Sequence, residues 1–318
     1  MAKKKTSRLL SSLISALVIF ALVLLFYGEN IPNAVREFKA SYIFSKALSA
    51  TVTDGEIFLH VIDVGQGDAI LVQSSDGCIL IDTGTNDSEN DLIAHLRACG
   101  VKVVDYLICS HAHSDHIGGA DAVFDNFEVK TVLIPYIDES NPDIGSMLFS
   151  MADAKPRIIH PARGDTFSLG DITVTALTPI GNSDDYNDMS LVMKLSFGDT
   201  SFLFTGDISE NVEHELLSTY PNGELDCDFL KIAHHGSNTS TCTEFINALT
   251  PTVASVSCGR NNDFGHPRHE VLKRLSDGGC ESIYRTDEMG SVILRCDGDE
   301  ITLAAMREAD GDAGREYK

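Results

Sequence analysis

From Leu9 to Phe26 the chain is apolar almost without interruption, broken only by Ser11, Ser12 and Ser15. A stretch of that length at ~1.5 Å per residue reaches ~27 Å, close to the hydrocarbon thickness of a bilayer. The pattern predicts one transmembrane helix over residues 9–26. Residues 29–53 read as a connector with a short amphipathic helix around Val35–Leu48. Beyond it the pattern turns to short apolar or alternating runs bounded by glycine. Strands are expected at 57–62, 69–72 and 78–81, separated by the Gly65-Gln66-Gly67 and Asp76-Gly77 turns. Ser88 to Cys99 reads as a helix, with Ser88 as N-cap, Leu92, Ile93 and Leu96 as the apolar stripe, and Gly100 as its stop. Val103–Cys109 is a strand running straight into His111. Further strands are expected at 131–134, 171–177, 190–197, 201–206, 228–233, 252–257, 281–285, 291–296 and 300–305, and helices near 208–219, 241–249 and 268–277. Strand-rich halves with interspersed helices predict an α+β chain of two sheets packed face to face with helices outside.

Charge adds an orientation. The chain holds 24 Lys/Arg against 47 Asp/Glu, but seven of the basic and only two of the acidic residues fall in the first fifty positions, leaving −28 on the remainder. Lys3, Lys4, Lys5 and Arg8 precede the apolar run and no basic residue directly follows it. That asymmetry places the N-terminus in the cytoplasm and the rest outside, as a single-pass protein of the cell membrane. A cleaved signal peptide is the alternative; its apolar region is usually shorter, and no small-x-small site follows Phe26. The expected organisation is an anchor at 1–28, the connector, one domain over 54–306 and a polar tail at 307–318. None of the eight cysteines forms a CxxC pair, which argues against a zinc knuckle. Several, such as Cys78 and Cys109, sit in apolar runs as small core residues.

The strongest chemical signal is the run His111-Ala112-His113-Ser114-Asp115-His116. Three imidazoles and a carboxylate follow an apolar strand, and alternation turns His111 and His113 to one side and the next turn Asp115 and His116 to another. Imidazole and carboxylate without cysteine suit an open catalytic zinc or manganese site. The same layout of apolar strand and then ligand recurs at Phe202–Asp207 and at Phe229–His235. The expected metal ligands are His111, His113, Asp115, His116, Asp207 and His234, holding two divalent ions. Asp115, His235 and His266 are the expected catalytic groups.

The His-x-His-x-Asp-His run, the later Gly206-Asp207 and the terminal histidine resemble the metallo-β-lactamase superfamily, whose fold is an αββα sandwich. More narrowly, the Phe58–Ala69 segment with Asp63, Gly65, Gln66, Gly67 and Asp68 is similar to the hydrolase domain of ComEC-type competence proteins. So are Ile81–Gly84, Asp188-x-Ser190, His234–Ser237, Gly265-His266-Pro267 and Tyr284–Asp287. That resemblance covers roughly residues 54–297. It implies that Asp63 and Asp68 shape the floor of the metal site, and that Ser237, Asn261 and His266 line it. Arg285 reads equally well as the partner of a nearby carboxylate. Two departures stand out. Full-length ComEC-type proteins also carry a multi-helix channel domain with no counterpart here, so DNA transport is not part of the reading. Many superfamily hydrolases take a further histidine before the bridging aspartate, yet none lies between His160 and Asp207 here; Asn187 or Asp188 occupies that region.

The resulting expectation is metal-assisted hydrolysis of a phosphodiester, with single-stranded or short DNA the first candidate substrate. A phosphorylcholine esterase-like activity on cell-envelope phosphodiesters is the second, and a non-catalytic binding module the third. The membrane is expected to be a partner through the N-terminal helix; no protein partner can be inferred.

Overall fold

The computed structural model describes residues 44–306, apart from 137–141, 180–182, 184 and 222. The expected transmembrane segment at 9–26, most of the expected connector and the expected tail at 307–318 lie outside the described residues. Among the described residues no helix is long and apolar enough to cross a membrane. Residues 44–48 are helical, the end of the expected connector helix.

In chain order the strands are β1 (Ile57–Val61), β2 (Ile70–Ser74), β3 (Gly77–Ile81), β4 (Val103–Ile108), β5 (Glu128–Leu133), β6 (Arg157–Ile159), β7 (Thr166–Leu169), β8 (Ile172–Ala176), β9 (Met193–Phe197), β10 (Thr200–Phe204), β11 (Phe229–Lys231), β12 (Val253–Val256), β13 (Ser282–Arg285), β14 (Val292–Cys296) and β15 (Ile301–Met306). They form an eight-stranded sheet, β15-β14-β1-β2-β3-β4-β5-β6, and a seven-stranded sheet, β13-β12-β11-β10-β9-β8-β7. The helices are α1 (Glu89–Ala98), α2 (Ser114–Ile117), α3 (Ala120–Asn126), α4 (Gly145–Ala154), α5 (Glu210–Thr219), α6 (Thr243–Leu249), α7 (His269–Asp277) and α8 (Thr286–Met289).

Alternation decides which side chains meet. Ile57, Leu59 and Val61 of β1 face inward onto the other sheet, where they join Val174, Leu195, Phe202, Phe204 and Phe229 in the central core. On the far side of the first sheet, Leu71, Leu80, Val104 and Val132 pack under Leu92 and Leu96 of α1, Val123 of α3 and Met147 and Met151 of α4. The second sheet is covered likewise, with Leu203, Leu230 and Ala254 under Leu216 of α5, Phe245 and Ile246 of α6 and Leu275 of α7. The layers run helix, sheet, sheet, helix. Phe44 covers the remaining outer corner against Phe58, Ile293 and Ala305.

Strand direction positions the chemistry. β3, β4, β5 and β6 pair parallel, as do β10, β11, β12 and β13. Parallel strands are buried on both faces, so their connections emerge only at the ends, and loops at the carboxyl ends gather there. The loops after β3, β4, β10 and β11 carry Asp82, the His111–His116 run, Asp207 and the His234-His235 pair.

The structure revises several local expectations. Ser88 lies just before α1 but does not cap it; its hydroxyl donates to Thr85 O at 2.8 Å from a preceding 3₁₀ turn. The strand expected from residue 190 begins at Met193; Ser190 closes the turn from Asn187, and the Leu191 amide donates to Ser110 O at 2.8 Å. The short helices α2, α3 and α8, helix α4, and strands β6 and β7 were not anticipated. All eight cysteines are free thiols.

Candidate metal centre

The His111–His116 loop is held from several sides. His111 and His116 are completely buried. His111 Nε2 lies 3.0 Å from His113 Nδ1, and the two rings stand edge to face. On its other side, His111 Nδ1 is 3.0 Å from Ser110 Oγ and 3.3 Å from Ser190 Oγ. These contacts aim the imidazole pair at one place. Asp115 and His116 point to another, where Asp115, His116, Asp207 and His235 bring one ligand atom each to within 4.8 Å of one another. His116 Nε2 is 3.3 Å from Asp207 Oδ1 and 4.0 Å from Asp115 Oδ2. His235 Nε2 is 3.2 Å from Asp115 Oδ2 and 3.5 Å from Asp207 Oδ2.

The terminal histidine is therefore reassigned by geometry. The sequence reading put His234 among the ligands and His235 among the catalytic groups. In the fold His235 is buried and its Nδ1 lies 2.9 Å from Ser257 O, which fixes the proton there and frees Nε2 for a cation. His234 is more exposed, with Nε2 3.9 Å from Asp207 Oδ2. Both residues are left-handed, with φ near 50° and 54°, so the turn swings the second imidazole inward and leaves the first at the rim.

The site fits a cation. His116 Nε2 and Asp207 Oδ1 are buried and face each other, yet neither has a hydrogen-bond partner. Burial pulls the His116 pKa down, but Asp207 and Asp82 outweigh it and hold the ring well above its ordinary value. Burial likewise opposes protonation of His235, and Asp207, Asp115 and Asp68 raise it to about 10. The same imidazoles overcome burial at the carboxylates, lowering Asp115 to about 2 and Asp207 well below its usual range. His111, where burial dominates and His116 repels, is driven toward the neutral form that a metal needs. Among buried carboxylates, protons on His116 and His235 are standing in for positive charge.

A second layer supports these residues, and much of it escaped the sequence reading. Asp82, in a left-handed conformation at the end of β3, lies 2.8 Å from His116 Nδ1. It also accepts from the Ser110 amide and hydroxyl, both at 2.7 Å. Lys231 is buried and its Nζ sits 2.6 Å from Asp68 Oδ2. Burial raises the Asp68 pKa, but Lys231 and then His235 more than reverse it. Ser190 links three parts: its hydroxyl donates to Asn187 O at 2.6 Å, accepts from the Asp207 amide at 3.1 Å and touches His111. Asp82 and Lys231 each had a sequence signal, a polar residue at or within an otherwise apolar strand run.

The other expected residues divide. Asp68 lies under the centre, 3.5 Å from His235 Nδ1. Gly67 lets that loop approach, because a Cβ there would stand 2.4 Å from Asp115 O. Asp63 is not in the floor; it is exposed, accepts from the Gly65 amide at 3.2 Å and lines a cleft on the outer side of β1. Asn187 belongs to the Ser190 turn, and its Oδ1 is buried without a partner. Asp188 instead accepts from the Ser209 amide at the start of α5, 3.0 Å away. Ser237 reaches His234 through Thr239, by contacts of 2.9 and 3.2 Å. His266 is at the rim, its ring 5.9 Å from that of His234, and burial with His235 and His234 lowers it to about 4. Asn261 is exposed and left-handed; the neighbouring Asn262 holds the His266 loop instead, accepting from His266 N at 3.0 Å. Arg285 is paired with Asp287 at 2.7 Å and Glu288 at 2.9 Å.

Against known proteins, the family model described as "Metallo-beta-lactamase superfamily" matches residues 62–260, from β1's end through the His-x-His-x-Asp-His loop, Asp207 and the histidine pair. The chain belongs to the metallo-beta-lactamase superfamily. It is similar to ComE operon protein 3 of Bacillus subtilis (strain 168), at 34% identity over 262 residues, covering 76% of this chain and 33% of the relative. Competence protein ComA of Neisseria gonorrhoeae is 31% identical over 246 residues, covering 76% and 32%. The chain thus spans about a third of the length of these relatives. Among solved structures, CmlA, a diiron beta-hydroxylase from Streptomyces venezuelae, superposes with a TM-score of 0.53 at 17% identity, over 77% of this chain and 55% of that one. At that identity the likeness concerns the superfamily fold alone. The superfamily is one of metal-dependent hydrolases, and a His/Asp cluster suited to two ions fits it.

Proposed function

We propose that this chain is a dinuclear-metal phosphodiesterase acting outside the cytoplasmic membrane, tethered through residues 9–26. The carrying observation is the convergence of Asp115, His116, Asp207 and His235 beside the His111–His113 pair. In this reading His111 and His113, helped by the Asn187 turn, hold one divalent ion. Asp115, His116, His235 and Asp207 would hold the other. When bound, zinc or manganese supplies Lewis acidity and a hydroxide at neutral pH. The chain's own residues do the rest. Asp115, one third exposed, accepts and orients a proton at the cleft mouth. Buried Asp207 and Asp68 fix the charge balance. His234 and His266, at the rim, are the imidazoles placed to contact a phosphate oxygen or a departing alkoxide. The competence-named relatives favour DNA as the substrate, and the acidic surface favours single strands or short pieces.

Purified full-length chain, stripped of metal and reloaded with zinc or manganese, should cleave a chromogenic phosphodiester and single-stranded DNA. Failure on every nucleic acid together with rapid cleavage of a choline phosphodiester would transfer the assignment to cell-envelope polymers. Absence of any hydrolysis by protein carrying two ions would end it.

A further inference from the structure

A second cluster of ligand-type side chains lies away from this centre, on the outer face of the eight-stranded sheet. His60 projects outward from β1 while its neighbours Leu59 and Val61 face the central core. Above it runs α1, which presents His95 and, one turn on, Cys99; residues four apart on a helix share a face. Cys99 closes that turn, its backbone amide donating a hydrogen bond to His95 O at 3.0 Å. His60 Nδ1 lies 3.2 Å from His95 Nε2 and 3.8 Å from Cys99 Sγ. All three ligand atoms fall within 4.8 Å of one another.

These separations match a tetrahedral ion. With metal–nitrogen bonds of ~2.0–2.1 Å and metal–sulfur bonds of ~2.3 Å, neighbouring ligands stand ~3.3 Å (N to N) and ~3.6 Å (N to S) apart. A lone imidazole–imidazole hydrogen bond explains less. It leaves the Cys99 thiol at the margin, 3.8 Å from His60 Nδ1, beside a residue only 1% exposed. Burial and the neighbouring His95 also keep the His60 ring neutral, the form in which imidazole binds a metal. Gln73 of β2 closes the cluster, its amide donating to Cys99 O at 3.3 Å. His95 forms part of the wall of a cleft of about 610 Å³, together with Phe44, Leu48, Asp63 and Thr286. Cys99 itself is partly exposed, alone among the cysteines.

We propose that His60, His95 and Cys99 form a third metal site, selective for a borderline-soft divalent cation such as zinc, with its fourth position open to solvent. Binding releases the Cys99 proton and ties α1 to β1 beneath the helical turn at residues 44–48, whose Phe44 ring meets His95 at 6.2 Å. The site is chemically distinct from the His/Asp centre, which contains no sulfur.

Cobalt(II) separates the two. Added to reduced full-length chain, it should produce a thiolate-to-cobalt charge-transfer band in the near ultraviolet, saturating at one thiolate-bound ion per chain. Cys99→Ser and His95→Gln should each remove that band while leaving the visible absorption of cobalt in the cysteine-free centre, which also reports that the variants are folded. In the unaltered protein, zinc should slow alkylation of Cys99, located by mass spectrometry, by at least tenfold. Absence of the band overturns the proposal. So does a band that survives Cys99→Ser, arising for instance from Cys242 beside Glu210 and His214, or an alkylation rate indifferent to zinc. None of these outcomes depends on whether the chain hydrolyses a phosphodiester.

Discussion

His234 and His235 are adjacent, chemically identical and both left-handed, yet the fold gives them different work. His235 has its Nδ1 proton committed to Ser257 O and its Nε2 among carboxylates, whereas His234 leans on Thr239 at the rim. His235→Ala should therefore lower the metal content of reloaded protein from two ions of the His/Asp centre toward one. His234→Ala should keep both and lose turnover instead; equal metal loss from the two variants, by elemental analysis, would erase the distinction. Asp82 allows a second test. It fixes the orientation of His116 from behind, and loss of such an outer partner commonly costs ~10–100-fold in metal affinity. Asp82→Asn should fall in that range by competition with a chelator, with little change in thermal stability. The ligand types at the centre were legible in the sequence because each follows an apolar strand. Which of two neighbouring histidines turns inward was not, since that depends on the φ of the turn and on Ser257, more than twenty residues away. Ser110 and Ser257 were illegible for the same reason, and Ser190 was marked only by the Asp188-x-Ser190 resemblance: a serine acquires meaning only from what the fold sets beside it.

At the level of elements, the long apolar runs and their glycine breaks identified most strands of both sheets and the three helices covering the second sheet. The unexpected elements are short or poorly patterned. β6 and β7 lie at the sheet edges, where burial is partial and an apolar signature is not required. α3 has only seven residues, too few to display a helical period. α4 begins at a glycine and ends in a left-handed Lys155, without the usual cap residues. Strand β11 shows the opposite case, a short strand that is fully buried because it lies between β10 and β12. Phe229 on it packs against Phe202 and Phe204 with centroids 5.8 and 6.0 Å apart. Truncation of such a residue leaves a cavity as well as lost apolar burial, so Phe229→Ala should cost ~3–5 kcal/mol in urea denaturation of metal-free protein. A cost below ~1 kcal/mol would mean that the core between the two sheets does not rely on this side chain. Lys231, two residues on and therefore on the same face of the strand, reaches Asp68 with its Nζ at 2.6 Å, and Asp68→Ala should destabilise by ~3–5 kcal/mol because it leaves a buried ammonium without its carboxylate. Restoring neutrality with Asp68→Ala and Lys231→Met together should recover most of that loss.

Across the whole molecule, charge links the centre to its surroundings. His235 is raised from 6.5 to about 10, so its stabilising interaction is fully present below pH 6.5 and fades as pH climbs through about 10. Asp115 is lowered from 3.8 to about 2, so its contribution is complete above 3.8 and fades as pH falls toward 2. Metal-free protein should consequently have its highest melting temperature between about pH 4 and 6.5. Metal-loaded protein should instead gain stability toward neutral pH, as ions replace protons. Coincident pH profiles for the two forms would show that the imidazole protons are not surrogates for cations. In the proposed phosphodiesterase the same balance would set substrate choice. Past residue 50 the chain carries −28, with no run of Lys or Arg to lay along a duplex. Long-duplex binding draws its strength from neutralising many phosphates and releasing their counterions, and its affinity falls steeply with salt in proportion to the number of contacts. Two divalent ions at the centre offer four positive charges, enough for one scissile phosphate and its neighbours. Binding of metal-free protein to a labelled duplex should therefore be weak even at low salt, with a shallow salt slope, while loaded protein cleaves single strands or short fragments faster than long duplexes. A steep slope with tight duplex binding would require a basic groove that neither the charge balance nor the order of Lys and Arg along the chain provides.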